Sequence, residues 1–172
     1  MSVLIQGSLS VKENLIALFK AKTPDLVVSV DDFAVGVPAA QVGVRNTSLE
    51  LTATDSGRFA DASVTSITYD RLAVESGVLS PVVEYVLADG ESKEDLLARV
   101  VADLGCVASE VAFAVDSVLP TVGETVIMKI EAVADSVLYL GEFEITVELK
   151  APEVEDIADA IEGEQEGFDP VV

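Results

Sequence analysis

The chain has no histidine, no tryptophan and a single cysteine. Without histidine there is no imidazole to act as a general base, complete a Ser-His-Asp triad or ligate zinc. One cysteine cannot form an internal disulfide or a cysteine-rich metal centre. Basic residues are scarce: 10 Lys and Arg stand against 31 Asp and Glu, a formal net charge of −21. Phosphate recognition needs Lys and Arg, so direct sequence-specific nucleic-acid binding is not expected. Aromatics make up 5% of the chain, too few to line the cleft in which a carboxylate pair would hydrolyse a glycoside. No apolar run reaches the roughly 18 residues of a membrane span. The N-terminal stretch has no basic region ahead of an apolar core, so neither a membrane contact nor a secretory leader is expected.

Half of the 172 residues are apolar and the mean hydropathy is +0.46, which sets the chain apart from disordered acidic sequences. A domain of this length buries roughly 70% of its unfolded surface. The acidic residues are the only candidates for catalysis or metal binding. Asp31-Asp32 and Asp89-Gly90-Glu91 are the closest clusters, and neither supplies the alternating oxygen ligands, turn glycine and distal Glu of a calcium loop. No nucleophile elbow, P-loop or dinucleotide-binding glycine pattern occurs. No catalytic, cofactor-binding or metal-ligating residue is therefore assigned, no cofactor is expected, and the chain reads as a non-enzyme. Cys106 lies in the apolar stretch Leu104–Val107 and reads as a buried structural thiol.

Charge is unevenly distributed. Residues 1–82 carry 9 acidic and 6 basic side chains, residues 83–150 carry 14 and 4, and residues 151–172 carry 8 and none. The last block is an acidic tail or docking arm, in which Ile157, Ala160 and Ile161 fall at helical spacing and Phe168 follows.

Two stretches of the chain run in parallel. Lys12-Glu13-Asn14-Leu15-Ile16-Ala17 lies over Lys93-Glu94-Asp95-Leu96-Leu97-Ala98, and Asp31-Asp32-Phe33-Ala34-Val35 over Ser109-Glu110-Val111-Ala112-Phe113. Leu49 to Ala53 lies over Met128 to Ala132, and Ile67-Thr68-Tyr69-Asp70 over Ile145-Thr146-Val147-Glu148. The offset drifts only where loops change length. The expected fold class is α+β, with two tandem similar units at 1–80 and 81–150. Each opens with an extended piece (3–6 or 82–88) and a capped helix. Ser10-x-x-Glu13 is a capping-box signature, and Glu91 to Asp95 plays that part in the second unit. The stripe Leu96, Leu97, Val100, Val101, Leu104 predicts one buried helix face, with Gly105 as its stop. A small, mostly antiparallel sheet follows, with strands expected at Leu26–Val30, Phe33–Val37, Ser48–Ala53 and Val64–Tyr69, then Val111–Val115, Val126–Ala132 and Phe143–Leu149. Glu75–Pro81 links the units.

Weakly charged edges at 26–37 and 111–118 invite pairing with another chain. The candidate assembly contacts are Val28, Val30, Phe33, Val35, Val111, Phe113 and Val115 on these edges, and Ile157, Ile161 and Phe168 on the arm.

The helix with Asn14-Leu15-Ile16-Ala17, the strand start Asp31-Asp32-Phe33, the alternating strand from Asn46 to Ala53 and the ending Ile67-Thr68-Tyr69-Asp70-Arg71-Leu72 together resemble a known group. These are the virion structural proteins of large tailed bacteriophages, built from repeated small α+β units. The second unit keeps Asp95-Leu96-Leu97-Ala98 but has Val147-Glu148-Leu149 in place of the Tyr-Asp-Arg-Leu ending. The resemblance spans about 1–150. It implies a non-enzymatic structural component of the tail, neck or baseplate, or one associated with the capsid. Such a component is made in the bacterial cytoplasm and localised to the virion, with other virion proteins as partners and a homo-oligomer or lattice as its state. Two alternatives stand beside it: a capsid-decorating protein bound as a monomer to a host lattice, and a small acidic adaptor or inhibitor, which would need one continuous acidic face.

Overall fold

Both helices begin through the same local chemistry. The structure, a computed structural model, describes residues 3–55, 58–60, 62–74, 84–88 and 90–151. Ser10 caps α1 (Val11–Lys22): its hydroxyl accepts from the Glu13 N–H, and the Glu13 carboxylate accepts from the Ser10 N–H at 2.8 Å. Those bonds to Ser10 hold the Glu13 carboxyl below its ordinary pKa. Ser92 and Asp95 make the same exchange at the start of α2 (Lys93–Leu104). A cap of this kind contributes about 1 kcal/mol. α2 stops at Gly105, whose φ of 66° is left-handed and whose N–H returns to Val101 and Ala102. Leu96, Val100, Val101 and Leu104 are buried, as their spacing predicts. α1 buries Leu15 and Asn14 and only half-buries Val11, Leu18 and Phe19. Asn14 is buried because its amide ties down the segment ahead of the helix, accepting from the Gln6 N–H at 2.9 Å and donating to the Gln6 and Leu9 carbonyls.

The first sheet holds β1 (Phe33–Val35), β2 (Ala39–Ala40), β3 (Thr47–Ala53) and β4 (Val64–Tyr69), all antiparallel. β4 runs along one edge of β3, with β1 and β2 along the other. Between β1 and β2 the register shifts by one residue: Val35 faces Leu51, but Ala39 faces Ser48. Pro38 has no N–H to donate, and it sits in this interruption. The strand expected at Leu26–Val30 does not form. Lys12 Nζ takes the Val30 carbonyl at 2.9 Å, Arg58 takes the Val27 carbonyl at 3.1 Å, and the Asp32 carboxylate takes the Ser29 N–H at 2.8 Å. Side chains occupy the backbone groups that a ladder would need.

The second sheet holds β6 (Glu84–Val86), β7 (Val111–Phe113), β8 (Thr125–Ala132) and β10 (Glu142–Glu148), in the order β6-β10-β8-β7. β6 is parallel to β10 and the other pairs are antiparallel. The strand expected at Val111–Val115 ends at Phe113, because Ser117 N–H turns back to the Ala114 carbonyl. β5 (Leu72–Ala73) and β9 (Tyr139–Leu140) form a separate parallel pair. Residues 3–6 join no sheet, and Leu4 is exposed. Alternation holds as expected on β3, β8 and β10, where Leu49, Leu51, Met128, Ile130, Ile145 and Val147 are buried. Two helices against mostly antiparallel sheets make an α+β fold.

One hydrophobic cluster runs through both halves of the chain, joining Leu15, Phe33, Leu49 and Tyr69 to Leu96, Leu104, Met128 and Ile145. Polar bonds cross the same junction. Tyr69 Oη donates to the Val137 carbonyl at 2.7 Å, and Arg71, braced on its own side by Thr47 Oγ1 at 2.9 Å, donates to the Ser136 carbonyl at 2.8 Å. The receiving segment is held by buried Glu110. Its carboxylate oxygen Oε2 accepts from Ser136 Oγ, Val137 N and Leu138 N at 2.7, 2.6 and 2.9 Å, which partners a polar group buried in the core. Gly7 packs on the end of α2 so closely that a Cβ there would lie 2.5 Å from the Gly105 carbonyl oxygen. The linker Glu75–Pro81, Asp89 and residues 152–172 lie outside the described residues.

Candidate assembly surface

The residues nominated for subunit contacts divide into three groups. Phe33, Val111 and Phe113 are buried in the chain's own core, which corrects their assignment as contact side chains: alternation in their short strands points them inward. Phe33 lies under the Lys12 ammonium, 5.6 Å from the ring centroid, and Phe113 lies under that of Lys93 at 5.5 Å. Val28, Val30 and Val35 are half-buried, while Val115 is 99% exposed. Ile157, Ile161 and Phe168 lie outside the described residues.

The surfaces that sequence reasoning missed are the outer faces of the two sheets. On the second sheet, register puts Glu84, Glu131, Glu142, Glu144 and Glu148 on one face. Lys129 is the one basic residue among them, its Nζ 2.7 Å from Glu142 and 3.7 Å from Glu144, and the hydrogen bond to Glu142 raises its pKa. On the first sheet the corresponding face carries Ala34, Ser48, Glu50, Thr52, Val64, Ser66 and Thr68, with one charge. β4 has no charged residue from Val64 to Tyr69, and among the described residues it pairs only with β3. β10, the third antiparallel strand of the second sheet, is flanked on both sides, by β8 and β6. The outward-facing letters of the alternating strands carried this contrast in the sequence.

Beside β4, on the inner side of the first sheet, lies an apolar groove of about 340 Å³ lined by Phe19, Val28, Phe33, Leu51, Phe59 and Ile67. Asp32 is buried in its wall, where it binds the Ser29 N–H and lies 3.4 Å from Arg58. Of the other acidic candidates, Glu91 accepts from the Ala88 N–H and pairs with Arg99 at 2.9 Å. Among the described residues no group of three or more acidic or cysteine side chains is placed to hold a metal ion. Cys106 is buried, and burial pushes its thiol pKa up, which suppresses the reactive thiolate. No helix among the described residues is long and apolar enough to cross a membrane.

The site is thus a surface: a neutral sheet edge, an adjoining aromatic groove and, on the other half, an acidic sheet face. The model of a family described as "Family of unknown function (DUF7941)" matches residues 7–162. No curated protein and no solved structure matches the chain.

Proposed function

The chain belongs to the DUF7941 family, whose function is unknown, and we propose that it is a non-enzymatic structural component of a tailed-phage virion that acts through protein–protein assembly contacts. The observation that carries the assembly part is the uncharged outer face of β4 and its edge, which among the described residues pairs only with β3, in a chain of net charge −21. Copies approach with least electrostatic cost where charge is absent, and unpaired N–H and C=O groups on such an edge favour strand addition. The virion part rests on the resemblance of residues 1–150 to phage structural proteins of the tail, neck or baseplate, or associated with the capsid. In this reading the chain is two tandem units, 1–80 and 81–150, followed by the acidic segment 151–172. The matched capping boxes, the matched Lys-over-Phe pairs and the shared strand orders β1-β3-β4 and β7-β8-β10 support the duplication.

The test is the mass of the purified chain by light scattering across concentration and salt. Screening relieves repulsion between copies, so defined oligomers should appear as salt rises. Ser66→Lys places a charge on exposed β4; it should leave stability within about 0.5 kcal/mol and abolish those oligomers. Unchanged assembly of this variant removes β4 from the contact, and a strict monomer under all conditions removes self-assembly. A second reading, the acidic adaptor or inhibitor, draws on the five-glutamate outer face of the second sheet. It makes the opposite salt prediction: binding to a basic partner would weaken as salt rises.

A further inference from the structure

We infer that the groove beside β4 receives the acidic segment 152–172 of a second copy of this chain, with Phe168 as the anchoring side chain. The inference rests on the assembly reading and names the site through which it works. The groove is apolar and lined by three of the chain's six phenylalanines, and Phe59 stands 41% exposed at its mouth. An exposed aromatic beside a concave apolar wall is the setting in which an aromatic anchor is best desolvated.

The second half of the chain shows what such a space accepts. There the connection between β8 and β10 turns Tyr139 inward until it is fully buried, and its hydroxyl accepts from the Val107 N–H just after α2. In the first half the corresponding connection, between β3 and β4, carries Phe59, and Leu26 and Val28 are the residues that follow α1. The space between them stays open. The aromatic of the connection is fully buried in one half, whereas in the other Phe59 stands 41% exposed at the mouth.

Charge selects the occupant. Lys20 and Lys22 stand in the last turn of α1, beside Phe19, and Arg58 precedes Phe59. Arg58 lies 3.4 Å from Asp32 in the groove wall and Lys12 lies 5.6 Å from the ring of the groove-lining Phe33, against a segment 152–172 that has eight acidic residues and no basic one. That segment also supplies Ile157, Ile161 and Phe168. The described chain runs out along the second sheet, where Leu149 exchanges bonds with Gly123 and Glu124, whereas the groove belongs to the first. Segment to groove between copies is a head-to-tail contact, which repeats into a ring or a stack.

The test uses full-length chains in sedimentation velocity at the salt concentration where the parent associates most strongly. Phe168→Ala removes the anchor and Phe59→Glu spoils the groove mouth. Each variant alone should associate at least about tenfold more weakly than the parent, because a buried aromatic anchor dominates such contacts. An equimolar mixture of the two should recover pairs, since one intact segment then meets one intact groove. Where Phe59→Glu loses its fold by circular dichroism, a labelled peptide of residues 152–172 replaces it. That peptide should bind the full-length Phe168→Ala chain, and the same peptide carrying Phe168→Ala should not. Parent-like assembly of both variants overturns the groove assignment while leaving the assembly reading intact. A monomeric parent overturns both, and amides near Phe59 protected from exchange in that monomer but not in Phe168→Ala would place each segment in its own groove.

Discussion

All three tyrosines of the chain are buried, and raising the pH should unfold it through them. Burial pushes the phenols of Tyr69, Tyr85 and Tyr139 up to about 12. Arg71 opposes part of this at Tyr69, and Asp103 adds to it at Tyr85. The unfolded chain titrates its tyrosines near 10. A folded pKa above the unfolded one means that the neutral phenols stabilise the fold fully below about pH 10, and that this contribution is lost as pH climbs towards 12. Each tyrosine then removes about 1.4 kcal/mol by pH 11 and roughly 2.3 kcal/mol by pH 12, so three together remove roughly 4 and then 7 kcal/mol. A domain is stable by about 5–15 kcal/mol, so this loss is comparable with the whole. The assay is phenolate absorbance from about pH 9 to 12.5 with far-ultraviolet circular dichroism alongside. The chain has no tryptophan, so its near-ultraviolet absorbance reports mainly on these three side chains. Phenolate should appear in one steep step between about pH 11 and 12, coincident with loss of secondary structure. Three tyrosines titrating broadly near pH 10 with the dichroism unchanged would refute the reasoning.

Four substitutions, each measured by urea unfolding, probe the packing of the chain. Tyr69→Phe deletes the 2.7 Å bond to the Val137 carbonyl and should cost about 1–2 kcal/mol, whereas Tyr85→Phe should be neutral or stabilising by up to about 1 kcal/mol, because among the described residues the buried Tyr85 hydroxyl makes no hydrogen bond of good geometry and Asp103 is a charged neighbour. Glu110→Ala orphans three buried donors and should cost about 3 kcal/mol or more; a loss below about 1 kcal/mol would mean that water replaces the carboxylate. Gly7→Ala forces a Cβ against the backbone of Gly105 and Cys106 and should cost about 1–3 kcal/mol; an unchanged midpoint would show that the N-terminal segment gives way freely.

What was legible in the sequence follows the range of the interactions. The capping boxes span three residues, so Ser10 with Glu13 predicts the start of α1 unaided, and alternation alone orients β3, β8 and β10. The segment 26–30 was illegible because Lys12 and Arg58 decide it from eighteen and thirty-one residues away. Phe33 and Phe113 looked like edge contacts because β-branched and apolar content marks a strand without saying which of its faces is buried. Glu110 looked like a strand-start acid, and its role as the clamp on residues 136–138 depends on a fold already formed.

The sheet faces carry the last step. Similar elements in both halves differ in what they show to solvent: five glutamates on the second sheet, one on the first. If both sheets were neutral, each chain would offer two competing edges and copies would join without direction. β6 pairs along the outer edge of β10, whereas the corresponding edge of β4 pairs with no strand among the described residues, so in the proposed assembly addition along this edge falls to β4. The asymmetry of charge between the two sheets is therefore what would give the proposed assembly its polarity.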